Sequence, residues 1–310
     1  VITYSIGMRT RFRGITVREG MLFEGPAGWA EWSPFLDYDD VTCVAWLRAA
    51  REAAFDGWPA AVRSVVPVNC TVPAVGPEAA REIVVKSGCR TAKVKVAEPG
   101  QRLADDMARV EAVRDALGPS GRVRIDANGA WSVDEAVAAL KELGRFDLEY
   151  VEQPCASVED LAAVRRRTDV LVAADESIRR AEDPLRVREL EAADIAVLKV
   201  QPIGGVRACL EIAERIGLPV VVSSALETSV GIAAGVALAA ALPELPYACG
   251  LATVSLLQAD VVTEPLVPVD GLLPVKRVVP DPSLVHADAA TTAVWEARLD
   301  RVDELKGSAE

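Results

Sequence analysis

The chain has a single histidine, His286, and none of its six cysteines stands in a CxxC pair. That scarcity argues against a zinc centre, which needs imidazole and thiolate ligands at close spacing. The dispersed cysteines, Cys43, Cys70, Cys89, Cys155, Cys209 and Cys249, read as reduced, buried thiols of a cytosolic protein. Positive charge is in deficit, with 34 Lys and Arg against 46 Asp and Glu and a formal charge of −12. Such a balance speaks against a nucleic-acid partner, and admits a small anionic ligand only where local lysines overcome the global field. No GxGxxG follows the first regular strand run, so a dinucleotide-binding fold loses its main support. Long apolar runs are missing as well. The most apolar stretch, Val230 to Leu242, is too short to span a bilayer, and its Ala and Gly content marks a buried helix. The start, VITYSIGM, shows no basic leader followed by an apolar run. The expectation is a soluble, cytoplasmic protein without a membrane partner; nothing in the composition selects an oligomeric state.

What is present is the material of a large enzyme. The 310 residues are 51 % hydrophobic and 26 % charged, enough to build a substantial core. Residues 1–65 differ in texture from the rest. ITYSIGMRTRFRGITVREGMLFEG mixes β-prone runs with Gly turns and reads as an antiparallel meander, and residues 38–61 read as a helical connection. From Val66 the pattern becomes regular. Strand runs are expected at 66–72, 91–97, 122–128, 148–154, 171–177, 195–201, 219–225 and 249–255, separated by amphipathic helical stretches. Two of these open with capping spelling, Ser132 with Glu135 and Ser157 with Asp160. Eight near-continuous apolar strands with intervening helices favour a (β/α) barrel over an open sheet. The expected division is 1–65 as the N-terminal part of a capping domain, 66–262 as barrel, and 263–310 as a Pro-rich tail returning toward the meander.

Charged residues recur at the ends of these runs. Asp126, Glu152, Asp175 and Lys199 close RVRIDAN, LEYVEQP, LVAADES and IAVLKVQ, roughly 25 residues apart, about one strand plus one helix. A parallel βα repeat sets neighbouring strand ends side by side, and active sites of such barrels lie at that face. Three carboxylates at one mouth suit a hard divalent cation, Mg²⁺ above all, whereas each alone would read equally well as a helix cap. Lys93 and Lys95 are two residues apart and project from one face of their strand. A partly desolvated ammonium near other cations has its pKa lowered, which makes a usable base. Taken singly, such lysines are more commonly solvated or paired with acids. As a set, the residues fit abstraction of a proton next to a carboxylate, because the enediolate so formed needs electrostatic stabilisation of the kind a divalent ion supplies. A glycosidase would use the acids but has no use for three inward lysines. A non-catalytic barrel that binds metal or ligand structurally is the reading from outside enzymology.

KVK on the second strand, DAN on the third, EQP on the fourth, ADES on the fifth and LKVQPIGG on the sixth resemble the muconate-lactonising subgroup of the enolase superfamily, over about residues 5–275. The resemblance implies a modified TIM barrel, (β/α)7β, with a small α+β capping domain. It implies Mg²⁺ on Asp126, Glu152 and Asp175, and catalytic lysines Lys95 and Lys199 on opposite faces of a small-molecule carboxylate. Within the subgroup, FRGITVREG, GWAEWSPF, SSALETSVG and GLATVSLLQADV are similar to its menaquinone-pathway dehydratases. Dipeptide epimerases resemble one another in an Asp-x-Asp at strand eight, where this chain has Gly250-Leu251-Ala252-Thr253. The dehydratase resemblance implies that Lys95 removes the α-proton and then assists departure of a hydroxyl on the same face. Lys199 would stand across the ring as a cation near the forming aromatic system. Lys93 and Arg124 would neutralise substrate carboxylate charge, Asn128 and Gln153 would orient the ligands, and Gly204, Ser223 and Ser224 would receive the substrate's tail, the serines having a plain turn as their competing reading. The segment from Arg11 to Arg18 is expected as a lid, against a solvated basic hairpin. An N-acylamino acid racemase, or a related cycloisomerase or epimerase, is the alternative activity.

Overall fold

The alternating pattern of the first residues makes three antiparallel strands, β1 (Ile2–Phe12), β2 (Ile15–Gly25) and β3 (Gly28–Trp32), in that spatial order. They come from a computed structural model, which describes residues 1–179 and 184–307. Phe12 pairs with Ile15, and the two residues between them, Arg13 and Gly14, have φ of 52° and 78°. Two consecutive positive φ values are what a tight hairpin turn of matching twist requires. The period then changes to helical. Asp39 accepts from the Thr42 amide at 2.8 Å and caps the helix Asp40–Arg51, which runs on as a π-helical turn to Gly57.

After β4 (Val65–Pro67), seven parallel strands form the barrel wall: β5 (Cys70–Val72), β6 (Thr91–Lys95), β7 (Arg122–Asp126), β8 (Leu148–Glu152), β9 (Val172–Ala174), β10 (Ile195–Leu198) and β11 (Val220–Val222). Their spatial order is their chain order. β12 (Leu272–Pro274) pairs antiparallel with β4 outside the wall. The eighth expected strand is far shorter than 249–255. Only Cys249 and Gly250 pair, with Val68 on one side and Ser223 on the other, and a 3-10 turn over Thr253–Leu256 follows. Those two residues still close the barrel. The approach there is close, since a Cβ on Gly250 would lie 2.6 Å from the Ser223 Oγ. The fold is thus a modified TIM barrel, (β/α)7β, with an antiparallel cap.

The helices form as their caps direct. Ser132 and Glu135 make a reciprocal capping box for Val133–Leu143, and Ser157 accepts from the Asp160 amide at 3.1 Å. The expected buried helix is Ser229–Ala241, with all but its last residue buried. All six cysteines are free and buried. Among the described residues no helix is long and apolar enough to cross a membrane.

Two polar seams dock the cap on the barrel. In the first, Glu31 at the end of β3 accepts from the Tyr4 hydroxyl at 2.7 Å, the Thr228 hydroxyl at 2.5 Å and the Gly231 amide at 3.0 Å. Arg18 donates alongside it to the Leu226 carbonyl at 3.0 Å. In the second, Glu52 accepts from the amides of Val206 (2.5 Å) and Arg207 (3.1 Å), so a cap carboxylate satisfies the first turn of the barrel helix Val206–Ile216. The C-terminal segment touches the cap. The Ala287 amide donates to Thr3 O at 2.9 Å, and on helix Ala289–Gly307 Trp295 meets Trp32 edge-on at 5.4 Å.

Candidate active site

The strand register sorts the inward residues by depth. Lys95 is level with Asp126, and Asp126 with Glu152; one layer below, Lys93 is level with Arg124, and Arg124 with Tyr150. The upper layer, with Asp175 and Lys199 just past the ends of β9 and β10, lies at the mouth of the barrel, and Lys93 reaches the same cavity from the layer below. A cavity of about 770 Å³ opens there, within the size range of small-molecule sites. Lys95, Asp126, Asn128, Lys199, Ser223 and Ser224 all line it.

Opposite charges alternate around the mouth. Lys95 Nζ lies 2.6 Å from Asp126 Oδ2, Lys199 Nζ 2.5 Å from Asp175 Oδ2, and Lys93 Nζ 2.7 and 2.8 Å from the two Glu152 oxygens. Burial pushes the Asp126 carboxyl up, but Lys95 and Lys93 outweigh it and hold that group well below the usual carboxylate range. Asp175 behaves alike: against the effect of burial, Arg179 and Lys199 bring it down to about 2. Glu152 goes the other way. Burial, with Asp126 and Asp175 repelling from either side, raises it to about 7 despite Lys93. The expected lowering of the lysine pair is overturned at Lys93. Burial does lower it, but Glu152 and Asp126 prevail and hold its ammonium well above the ordinary lysine value. A lysine so bound carries charge and has no free lone pair to act as a base.

The mouth fits a divalent cation by the chemistry of its donors. Asp126, Glu152 and Asp175 offer oxygen alone, are at most 1 % exposed, and stand near enough to repel one another at Glu152. As they stand, each is engaged by an ammonium group, and among the described residues no three acidic, thiol or imidazole groups have ready-made metal spacing. Gln153 keeps the fourth and fifth strand ends together, accepting from the amides of Asp175 (2.9 Å) and Ser177 (3.2 Å) while donating to the Ser177 hydroxyl at 2.7 Å. Asn128, at φ 48°, accepts from Lys95 Nζ at 2.6 Å and donates to Glu176 at 3.3 Å. Its position orients the lysine as much as a ligand.

Two expected substrate contacts lie elsewhere. Arg124 does not line the cavity: it is fully buried a layer below, between the rings of Tyr150 (4.7 Å) and Tyr247 (5.8 Å). Its guanidinium donates to Glu149 at 2.5 Å, Asn69 at 3.0 Å and the Ala248 carbonyl at 2.6 Å, tying β7 to β8 and to the segments just before β5 and the closing bridge. Facing the same way as Asp126 did not bring it to the same depth. Arg124→Met is expected to cost about 3–5 kcal/mol in urea denaturation, because it strands the Glu149 carboxylate, while KM of the folded fraction stays within roughly twofold. Gly204 faces the cap instead of substrate. With φ of 105° and 131°, Gly204 and Gly205 lie where a Cβ would meet Arg48 at 2.2 Å and Glu52 at 2.1 Å, so the diglycine is a seat for the cap helix. Pro202 lines the cavity in its place.

The lid expectation divides. Arg11, Phe12, Arg13 and Gly14 roof the cavity, and the Phe12 ring centroid is 5.2 Å from Lys95 Nζ. Arg18 belongs to β2 and is buried in the first seam. Residues missed from the sequence are Glu176 and Arg179, which line the cavity, and Thr253, whose hydroxyl is 2.7 Å from that of Ser224. Arg179 donates to Asp175 at 2.9 Å and Glu176 at 2.6 Å. The signal was present, since Asp175 and Glu176 precede Arg179 by four and three residues, the spacing of helical ion pairs.

Comparison with known proteins bears on the family and the fold. The enolase C-terminal domain-like family model matches residues 77–280 and the enolase N-terminal domain-like model residues 3–54. An o-succinylbenzoate synthase of Thermobifida fusca is 68 % identical over 296 residues, covering 96 % of this chain and 93 % of the relative. One from Mycolicibacterium smegmatis is 57 % identical over 300 residues, covering 96 % and 92 %. In fold, the chain is similar to a muconate lactonizing enzyme from Pseudomonas fluorescens, with a TM-score of 0.77 at 21 % identity and 95 % and 97 % of the two chains covered. The L-Ala-D/L-Glu epimerase of Bacillus subtilis gives 0.76 at 23 %, covering 92 % and 97 %.

Proposed function

This chain belongs to the o-succinylbenzoate synthase family of the enolase superfamily, and we propose from that premise how its residues divide the work of the family's reaction. The reaction is dehydration of 2-succinyl-6-hydroxy-2,4-cyclohexadiene-1-carboxylate to 2-succinylbenzoate, a step toward menaquinone. The C1 proton and the C6 hydroxyl leave as water, and the electron pair of the broken C–H bond completes the aromatic ring.

The observation that carries the assignment is the unequal standing of the two lysines on β6. Both line the cavity, but Lys93 is locked to both oxygens of Glu152, whereas Lys95 is the more exposed and bonds a single oxygen of Asp126 and the Asn128 amide oxygen. Lys95 therefore takes the α-proton, and the same ammonium then gives a proton to the departing hydroxyl on that face. Lys199 stands at the end of β10, four strands round the wall, and supplies positive charge to the other side of the ring. Ser223, Ser224 and Thr253 offer hydroxyls to the succinyl tail. Phe12 and the β1–β2 turn keep water from the base. Asp126, Glu152 and Asp175 would hold Mg²⁺. When bound, a divalent cation supplies positive charge opposite the substrate carboxylate as the α-proton leaves.

Two incubations test the reading. The cyclohexadiene carboxylate is expected to give an aromatic ultraviolet spectrum with wild-type protein, and an N-acylamino acid in D₂O is expected to gain α-deuterium far more slowly. Rapid exchange and loss of optical activity in the amino acid, without any aromatic product, would assign racemisation instead.

A further inference from the structure

The hydroxyl of Tyr38 is reached by two guanidinium groups from distant parts of the chain. Arg13, on the β1–β2 turn above the cavity, donates to it at 3.1 Å; Arg179, on the short helix Glu176–Arg179, donates at 3.0 Å. A phenolic oxygen has two lone pairs, so it can accept both bonds at once. Beyond it, Arg179 Nε donates to Asp175 Oδ1 at 2.9 Å, while the other oxygen of Asp175 takes Lys199. One hydroxyl thus joins the roof of the cavity, through Arg179, to the buried Asp175 carboxylate.

Tyr38 is itself held in place. Its ring is buried and meets Phe35 and Trp46 edge-on at 5.7 and 6.0 Å. Its carbonyl accepts from Arg298 of helix Ala289–Gly307 at 2.8 Å, as does that of Phe35. Arg13 is anchored in turn, 3.9 Å over the Phe35 ring and paired with Asp37 at 3.2 Å. A phenol suits this position because Arg179 already faces two carboxylates, and the hydroxyl adds an acceptor without a third negative charge.

We infer that Tyr38 is a positioning residue that clasps the β1–β2 turn over the cavity and, through Arg179, sets Asp175 for a divalent cation. The inference rests on the metal role proposed for Asp175. Its physical basis is that a carboxylate ligand is oriented by whatever holds its other oxygen, and losing such support typically costs 10–100-fold in metal affinity or activity.

A double-mutant cycle on the full chain decides it. Mg²⁺ affinity is measured by titration calorimetry for metal-free wild type, Tyr38→Phe, Arg179→Gln and the double variant. Tyr38→Phe deletes one oxygen and keeps the ring packing, and the melting temperature of each variant is the control for folding; Arg179→Lys replaces Arg179→Gln if the latter does not fold. The expected result is about tenfold weaker binding in Tyr38→Phe, with no further loss when the same change is made without Arg179. Trypsin should also cut faster after Arg13 in Tyr38→Phe. An unchanged Mg²⁺ affinity, an equal loss in both backgrounds, or a wild type that binds no Mg²⁺ overturns the clasp. A wild type that binds Mg²⁺ but forms no aromatic product would instead defeat the proposed reaction, and the cycle would still judge Tyr38.

Discussion

Lys95→Ala is expected to lower kcat for dehydration by roughly 10⁴-fold, the upper end of what a single acid–base group contributes, because the same amine takes one proton and gives one back. The local geometry offers no substitute. Lys93, two residues earlier, is held by both oxygens of Glu152 and by Asp126 at 3.2 Å, so its proton is not available for exchange. Lys199 stands just past the end of β10 and is paired with Asp175 at 2.5 Å. Lys95→Arg separates chemistry from charge. A guanidinium keeps the ion pair with Asp126 but stays protonated at any working pH, so this variant should be nearly as inactive as the alanine. Retention of more than about a tenth of wild-type kcat by Lys95→Arg would show that Lys95 acts as a cation and not as the base. The readout is the rate of appearance of the aromatic product, with circular dichroism to show that each variant folds.

Exhaustive chelation is expected to reduce turnover below about one-thousandth, with recovery on adding Mg²⁺. The expectation comes from the carboxylates themselves. Asp126, Glu152 and Asp175 are wholly buried, and at Glu152 burial and the other two acids raise the carboxyl to about 7. At Glu152 that cost in repulsion and lost hydration would be offset by a bound cation. The same argument gives a readout independent of turnover. At a concentration about a hundred times its dissociation constant, Mg²⁺ should stabilise the fold by about 2.7 kcal/mol, seen as a melting temperature higher by several degrees. Full activity in protein shown by elemental analysis to be metal-free would remove the cation from the mechanism. Unchanged melting with and without Mg²⁺ would remove it from the site.

Much of this site was legible in one dimension. Asp126, Glu152, Asp175 and Lys199 end successive apolar runs at a βα spacing, and the parallel barrel brings them to one mouth. Arg124 shows where that reasoning stopped. Period two says which way a strand residue faces, and Arg124 does face inward with Asp126. It says nothing of depth, which the stagger between β7 and its neighbours decides, and depth made Arg124 a brace and not a ligand. Gly204 misled for a related reason. Consecutive glycines announce a backbone that another group approaches closely, but the approaching group was the cap helix, through Arg48 and Glu52, about 150 residues earlier.

The sequence by itself determined the repeating βα architecture, the face at which the acids and lysines gather, and the chemistry that such a set performs. These follow from periodicity and residue type, which are local properties of the chain. Only the tertiary structure decided how differently the two lysines of β6 are held, how short the closing strand is, and how the cap takes hold of the site. Each of those depends on contacts between residues remote in sequence: Lys93 with Glu152 across 59 residues, or Tyr38 with Arg179 across 141. A hydrogen bond of that span leaves no periodic trace, because its partners are chosen by packing after the elements have formed.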